Sequence, residues 1–228
     1  ILLGNRQLLA GQQIDGDSAA GIAADYEQQA KTAVYVADRR GVIGILAIAD
    51  PLRPEAITAI ASLRGMGIRT LMLSGDAEAV AAAIGQQAGV DEARGGVQPE
   101  GKAAAIKALH AAGRVVGMIG DGINDAPALA VADVGIAMGT GTDIAMETAG
   151  ITLMRPDPRL VAAPIDISRA TFGKIRQNLF WAFIYNLVGI PAAALGYLSP
   201  ALAGAAMAMS SVSVVCNSLL LRRWRPRH

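Results

Sequence analysis

The chain has 228 residues, a formal net charge of +1, 53% hydrophobic residues and 4% aromatic ones, with a mean hydropathy of +0.39. That profile excludes disorder, which needs low hydrophobicity and high net charge, and the lone Cys216 excludes a disulfide scaffold. The charge is unevenly spread. Up to Phe172 there are 19 acidic and 14 basic residues, a local charge of −5, whereas from Gly173 onward Lys174, Arg176, Arg222, Arg223, Arg225 and Arg227 face no acidic residue. An acidic soluble part with dispersed basic residues argues against nucleic acid as a partner. No basic, apolar leader opens at Ile1, and the absent initiator Met suggests a fragment.

In chain order, residues 19–30 are predicted to form a helix, followed by a hairpin of residues 32–37 and 41–47 around Asp38-Arg39-Arg40. This reads as the tail of an α+β lobe, taken as residues 1–47. From about Gly44, apolar runs of strand length (45–49, 68–73, 115–119, 134–138 and 151–153) alternate with helical stretches (54–64, 77–87, 99–111, 125–131 and 143–148). Such alternation predicts a parallel α/β sheet with right-handed crossovers, taken as residues 48–158. Ligands of that architecture sit at the carboxyl ends of the strands. Those ends carry Asp50, Ser74-Gly75-Asp76, Gly120-Asp121-Gly122 and Gly139-Thr140-Gly141-Thr142.

The remainder, residues 159–228, is predicted to hold a linker helix and two transmembrane helices. Residues 178–221 are 44 consecutive uncharged positions, and a span needs roughly 20 apolar residues. Ser199-Pro200 is the natural break, giving spans at about 178–198 and 200–221. Basic residues flank both ends, so both flanks face the cytoplasm, with Trp181 and Trp224 as interfacial anchors. The second span is rich in Ala, Gly and Ser, which in lipid favours packing against further helices. Those helices are not in this sequence.

Within Gly120-Asp121-Gly122-Ile123-Asn124-Asp125 two carboxylates follow a buried strand and open a helix. Hard oxygens there suit Mg²⁺ with phosphate, and glycine permits close backbone approach; an ordinary Asp-Gly turn with a helix cap is the alternative. Ser74-Gly75-Asp76 reads equally as an anion site or as simple capping. Lys102 stands in the first turn of a helix begun by Pro99, where a cation opposes the helix dipole. It is either aimed at an anion or a solvated surface residue. His110 and His228 read as surface residues.

The stretches Asp50-Pro51-Leu52-Arg53-Pro54-Glu55, Ser74-Gly75-Asp76, Lys102, Gly120-Asp121-Gly122-Ile123-Asn124-Asp125-Ala126-Pro127-Ala128-Leu129 and Asp133-Val134-Gly135-Ile136-Ala137-Met138-Gly139 together resemble the P-type cation-transporting ATPases. That resemblance covers essentially the whole chain and implies a haloacid-dehalogenase fold. It implies that Asp121 holds Mg²⁺ with Asn124 and Asp125 in support, that Ser74 (usually Thr in the family) and Gly75 bind the phosphoryl group, and that Lys102 neutralises it. Asp76 would orient nucleotide or the neighbouring loop, and Gly4-Asn5 resembles the pair that contacts ATP in the heavy-metal branch. These roles accord with electrostatic stabilisation of a loose phosphoryl-transfer state.

The family's phosphorylated Asp in an Asp-Lys-Thr-Gly-Thr loop, its Thr-Gly-Glu loop, its Cys-Pro-Cys motif and its His-Pro pair do not occur here. The chain is therefore expected to be the C-terminal part of a pump, inactive by itself and lacking the first strand of its parallel sheet. Two terminal spans point to the heavy-metal branch. Tyr185-Asn186 with Met207 and Ser211 resembles the Cu⁺ exporters, with Ag⁺ as an alternative cargo. Thioether sulfur suits Cu(I), and Met207 and Ser211, four apart, share a helix face; by pattern alone, Met, Ser and Ala at this spacing are usually membrane packing, and only the resemblance reverses that. Implied partners are the N-terminal remainder of the pump, the lipid membrane and a copper chaperone. The implied location is a bacterial plasma membrane, crossed several times, with the soluble domains cytoplasmic. The competing readings are a stand-alone regulatory fragment or pseudoenzyme and a membrane-anchored phosphatase of the same fold.

Overall fold

The computed structural model describes residues 1–139, 142–197 and 199–225. The expected Thr140-Gly141 loop positions, Leu198, Arg227 and His228 lie outside the described residues. The chain forms two compact units, Ile1–Val161 and Ala162–His228.

The first unit begins with β1 (Leu2–Gly4), α1 (Arg6–Gly11) and α2 (Ala20–Gln28), then β2 (Thr32–Asp38) and β3 (Gly41–Ile48). The three strands form an antiparallel sheet in the order β1-β2-β3. Residues of β2 alternate between buried and half-buried, the period-2 pattern of a strand with one face on a core. Ala33, Tyr35 and Ala37 thereby join Leu9, Ala19 and Ala23. The hairpin around Asp38-Arg39-Arg40 is as expected. The strand predicted at residues 45–49 is not part of the parallel sheet: its residues up to Ile48 continue β3, with Thr32 paired to Ile48. An unbroken apolar run carries no signal for the sheet it enters. Asp50 consequently follows an antiparallel strand rather than standing at the edge of the parallel one.

Then come α3 (Pro54–Gly65), β4 (Leu71–Leu73), α4 (Glu78–Ala88), β5 (Glu92–Arg94), α5 (Pro99–Ala111), β6 (Gly117–Gly120), α6 (Ala126–Val131), β7 (Val134–Met138), α7 (Asp143–Thr148) and β8 (Ile151–Leu153). Pro occupies the first turn of α3 and α5, where its missing N–H costs nothing and its φ suits the helix. Helix α4 stops at Gly89, which is left-handed at φ 78°, a conformation open to Gly without a Cβ penalty. The parallel strands form two separate ladders, β4-β5 and β6-β7-β8. Each of β4 and β6 thus has a strand partner on one side only among the described residues. Strand β7 buries Gly135, Ile136 and Ala137, as expected of a parallel strand covered on both faces.

The second unit is an antiparallel helical pair, α8 (Ala162–Ala194) and α9 (Pro200–Leu219). The expected linker helix and first span are one 33-residue helix, about 50 Å long at 1.5 Å per residue. Among the described residues, one helix is long and apolar enough to cross a membrane by length and composition, Pro200–Arg223. The uncharged half of α8 is diluted by Asn178 and Asn186 and interrupted by Pro191. Ser199 caps α9, its hydroxyl accepting from the Leu202 N–H. A polar seam joins the two helices. Lys174 donates to Asn217 at 2.9 Å, Asn217 donates to Asn178 at 2.8 Å, and Asn178 donates to Ser218 at 2.8 Å. The Trp224 indole donates to Asp166 at 2.9 Å, so its polar edge is held by the protein itself.

Candidate functional site

Two loops at the carboxyl ends of β4 and β6 hold most of the predicted phosphate-site residues. After β6, Gly120 is buried. A Cβ placed on it would lie 2.6 Å from Asp125 Cβ and 2.8 Å from Asp125 Oδ2, far inside van der Waals contact, so Gly is required for the Asp125 carboxylate to fold back over the strand end. Asp125 is 8% exposed, the one buried charged residue among those described. A buried carboxylate must be paired and hydrogen-bonded, and it is: Lys102 Nζ lies 2.7 Å from Oδ1, and the Asp121 N–H donates to Oδ2 at 3.3 Å. Both side chains of the ion pair are largely shielded, at 18% and 12% exposure. Lys102 is therefore not a solvated surface residue. Helix α5 delivers its ammonium to the β6 loop, 23 residues away in sequence.

Asp121 is exposed, and its backbone carbonyl accepts from the Thr142 N–H at 2.9 Å. Thr142 also caps α7, its hydroxyl accepting from Ala145 N–H at 3.4 Å. The β6 and β7 loops are thereby tied together behind the Asp121 side chain. Asn124 is exposed within the turn that follows.

In the β4 loop, Ser74 Oγ donates to Asp76 Oδ2 at 2.8 Å and accepts from the Asp76 N–H at 3.2 Å. The loop is braced by neighbours: the Val97 N–H donates to Ser74 O at 2.8 Å, and the Gly96 N–H to Asp76 O at 2.6 Å. Gly75 is exposed, and Asp76 Oδ1 accepts a long 3.5 Å bond from the Thr32 hydroxyl of β2. The Thr32 and Thr142 contacts have no local signal, because both join chain segments that are distant until folded.

Gly4 and Asn5 sit at the turn from β1 into α1. Asn5 Oδ1 accepts from the Leu8 N–H at 3.0 Å as an N-cap, and a Cβ on Gly4 would collide with the Leu8 side chain. Their positions have a complete local explanation. In the helical pair, Tyr185 OH lies 3.3 Å from Ser213 Oγ, while Asn186 and Ser211 hydrogen-bond back to their own helices at Ala182 O and Met207 O. Met207 is 73% exposed. The recorded bonds thus link Tyr185 to Ser213 and leave Met207 facing away from the hairpin.

No group of three or more His, Cys, Asp or Glu side chains that could hold a metal ion exists among the described residues. With Asp125 engaged by Lys102, Asp121 is the carboxylate exposed at this edge. A single carboxylate fits Mg²⁺, which keeps several waters and takes its other ligands from phosphate oxygens.

The haloacid dehalogenase-like hydrolase family model matches residues 1–133. A probable copper-importing P-type ATPase A of Enterococcus hirae is 50% identical over 222 residues, covering 96% of this chain and 30% of that protein. A copper-exporting P-type ATPase of Staphylococcus aureus is 50% identical over 226 residues, covering 99% and 28%. The chain thus spans about three tenths of the length of these relatives. A crystal structure of a zinc-transporting PIB-type ATPase in the E2.Pi state is similar at a TM-score of 0.76 and 38% identity, covering 91% of this chain and 34% of that one. The chain belongs to the haloacid dehalogenase-like hydrolase family, with its sequence relatives among the copper P-type ATPases.

Proposed function

We propose that this chain is the C-terminal portion of an ATP-driven Cu⁺-exporting P-type ATPase. The observation that carries this is the paired Lys102–Asp125 unit behind Asp121, at a strand end facing an unfilled ladder edge. A further parallel strand, supplied by an upstream segment and bearing the acceptor Asp, would join β4 to β6. Its carboxyl end would then lie between the Ser74 and Asp121 loops. In this reading residues 1–47 complete a nucleotide-binding domain, residues 48–158 are the phosphorylation domain, and residues 159–228 are the linker and last two membrane helices.

The chemistry follows from charge. A transferring phosphoryl group spreads negative charge over its equatorial oxygens, and catalysis is positioning plus electrostatic stabilisation. Lys102 supplies a cation whose direction is set by Asp125 rather than by solvent. Ser74 offers a hydroxyl, and the Gly75 backbone offers close approach without a Cβ; on anion binding Ser74 would release Asp76. Asn124 and Asp125 support the loop, and Asp76 orients it toward nucleotide. Asp121 would hold Mg²⁺, which when bound neutralises phosphate charge. Gly4 and Asn5 would contact ATP through the edge of Asn5 not used in capping.

Tyr185, Asn186, Met207 and Ser211 would contribute to the Cu⁺ path as the substrate's ligands. Asn186, Met207 and Ser211 are exposed, which suits a site completed by helices packing onto this hairpin, and a soft thioether suits Cu(I). The relatives' names include both import and export; export is our reading. Copper uptake into inside-out vesicles containing the longer protein tests it. ATP should drive accumulation, and Met207→Ala should slow it severalfold without loss of protein. Unchanged copper dependence in the variant would place the site elsewhere.

A further inference from the structure

One face of α8 carries a shallow, open depression lined by Gly173, Arg176, Gln177, Phe180 and Trp181, none of which belongs to the sites above. All five lie on α8. Their spacing of 0, 3, 4, 7 and 8 residues places them on one helix face. That face is not the one used to bind α9, whose hydrogen bonds come from Lys174, Asn178 and Tyr185. Phe180 and Trp181 remain 59% and 43% exposed. A Cβ on Gly173 would meet nothing within 4 Å, so no packing within this chain explains a glycine there, although Gly is unfavourable in a helix interior.

The charges on the face are also distinctive. Lys174 spends its ammonium on Asn217 Oδ1 and Gln177 Oε1, which leaves Gln177 its amide donors. Arg176 is exposed, with no partner among the described residues and no acidic residue from Gly173 to the end of the sequence to supply one.

We propose that this face of α8 binds the phosphate headgroup of an anionic phospholipid, an inference that rests on the hairpin lying in a membrane. A guanidinium presents a planar fork that matches phosphate oxygens in pairs. Phe180 and Trp181 lie one turn beyond Arg176, at the start of the uncharged run, where aromatic rings meet the boundary between headgroup and acyl chain. The open notch at Gly173 admits the glycerol end.

Native mass spectrometry of the longer detergent-purified pump with added phosphatidylglycerol or phosphatidylcholine tests the proposal. The unmodified protein should retain one more phosphatidylglycerol than Arg176→Gln or Gly173→Leu, with an apparent affinity about tenfold tighter. Phosphatidylcholine retention should not differ. Leu is a good helix former, so Gly173→Leu fills the notch while keeping α8 intact. Phosphatidylglycerol retention by both variants equal to that of the unmodified protein overturns the proposal. Displacement of the lipid by millimolar inorganic phosphate overturns it too, because the site would then read the phosphate alone. Cu⁺-dependent phosphoenzyme is measured in parallel. Its presence alongside unchanged lipid retention removes the lipid site only, whereas its absence from the unmodified protein removes the pump reading on which the site rests.

Discussion

Replacing Lys102 by Met removes the ammonium 2.7 Å from Asp125 Oδ1 and keeps most of the side-chain volume. The Asp125 carboxylate, 8% exposed, would then retain only the 3.3 Å bond from the Asp121 N–H. Breaking a buried ion pair by removing one partner costs about 3–5 kcal/mol, because the other charge stays buried. Residual exposure of 18% and 12% lets some water in and favours the lower end, about 3 kcal/mol. For a unit of this size that corresponds to about 6–12 °C in Tm. Scanning calorimetry of the chain in detergent should show the drop in the transition of the Ile1–Val161 unit, little altered by salt because the pair is shielded. In an Asp125→Asn background the same Lys102→Met change should cost less by about 1–3 kcal/mol. A drop below about 2 °C, or an equal cost in both backgrounds, would refute the coupling of Lys102 and Asp125 as one shielded ion pair.

Gly120→Ala should destabilise the same unit by about 1–3 kcal/mol, because its Cβ would fall 2.6 Å from Asp125 Cβ; calorimetry checks the size, and an Asp125→Gly background should relieve it. Asp133 accepts from the Val116 N–H at 2.7 Å and lies 2.9 Å from His110 Nε2. The Val116 N–H foremost, with lesser help from His110, holds its carboxyl below the ordinary value of 3.8. A depressed folded-state pKa contributes stability that is full above the unfolded value and is lost as pH falls below 3.8 through the folded one. Asp133→Asn should therefore flatten the acid limb of the Tm against pH profile below about pH 5; an unchanged limb contradicts this. Asn217→Leu removes the partner of both Lys174 and Asn178. It should weaken the helical pair by about 0.6–1.7 kcal/mol, read from thermal unfolding followed by Trp fluorescence.

The alternation of strand and helix from α3 onward was legible because apolar runs, Pro at helix starts and Gly at turns are local signals. The strand at β3 was not assigned to one sheet, because residues 41–48 are apolar without a break and only the Thr32–Ile48 register decides. β5, three residues with Glu92 and Arg94 exposed, has no hydrophobic pattern to read. At the site, the residue types at both strand ends were readable, but their partners were not. The Lys102–Asp125 pair spans 23 positions and the Thr32–Asp76 contact 44, and no spacing rule links them. Gly120 was attributed to close approach by phosphate. The folded chain shows a nearer cause, the Asp125 carboxylate itself. The continuity of α8 was not legible because the start of the uncharged run at Asn178 marks a change in polarity and carries no signal for a helix end.

The β6 loop is proposed as the phosphoryl-transfer site of a copper pump, and the decisive assay is acid-stable phosphoenzyme formed from labelled ATP by the longer protein, with and without Cu⁺. Labelling should depend on Cu⁺, and Asp121→Ala should abolish it while protein level and helix content stay the same. Labelling that persists in Asp121→Ala, or that ignores Cu⁺, would contradict that assignment.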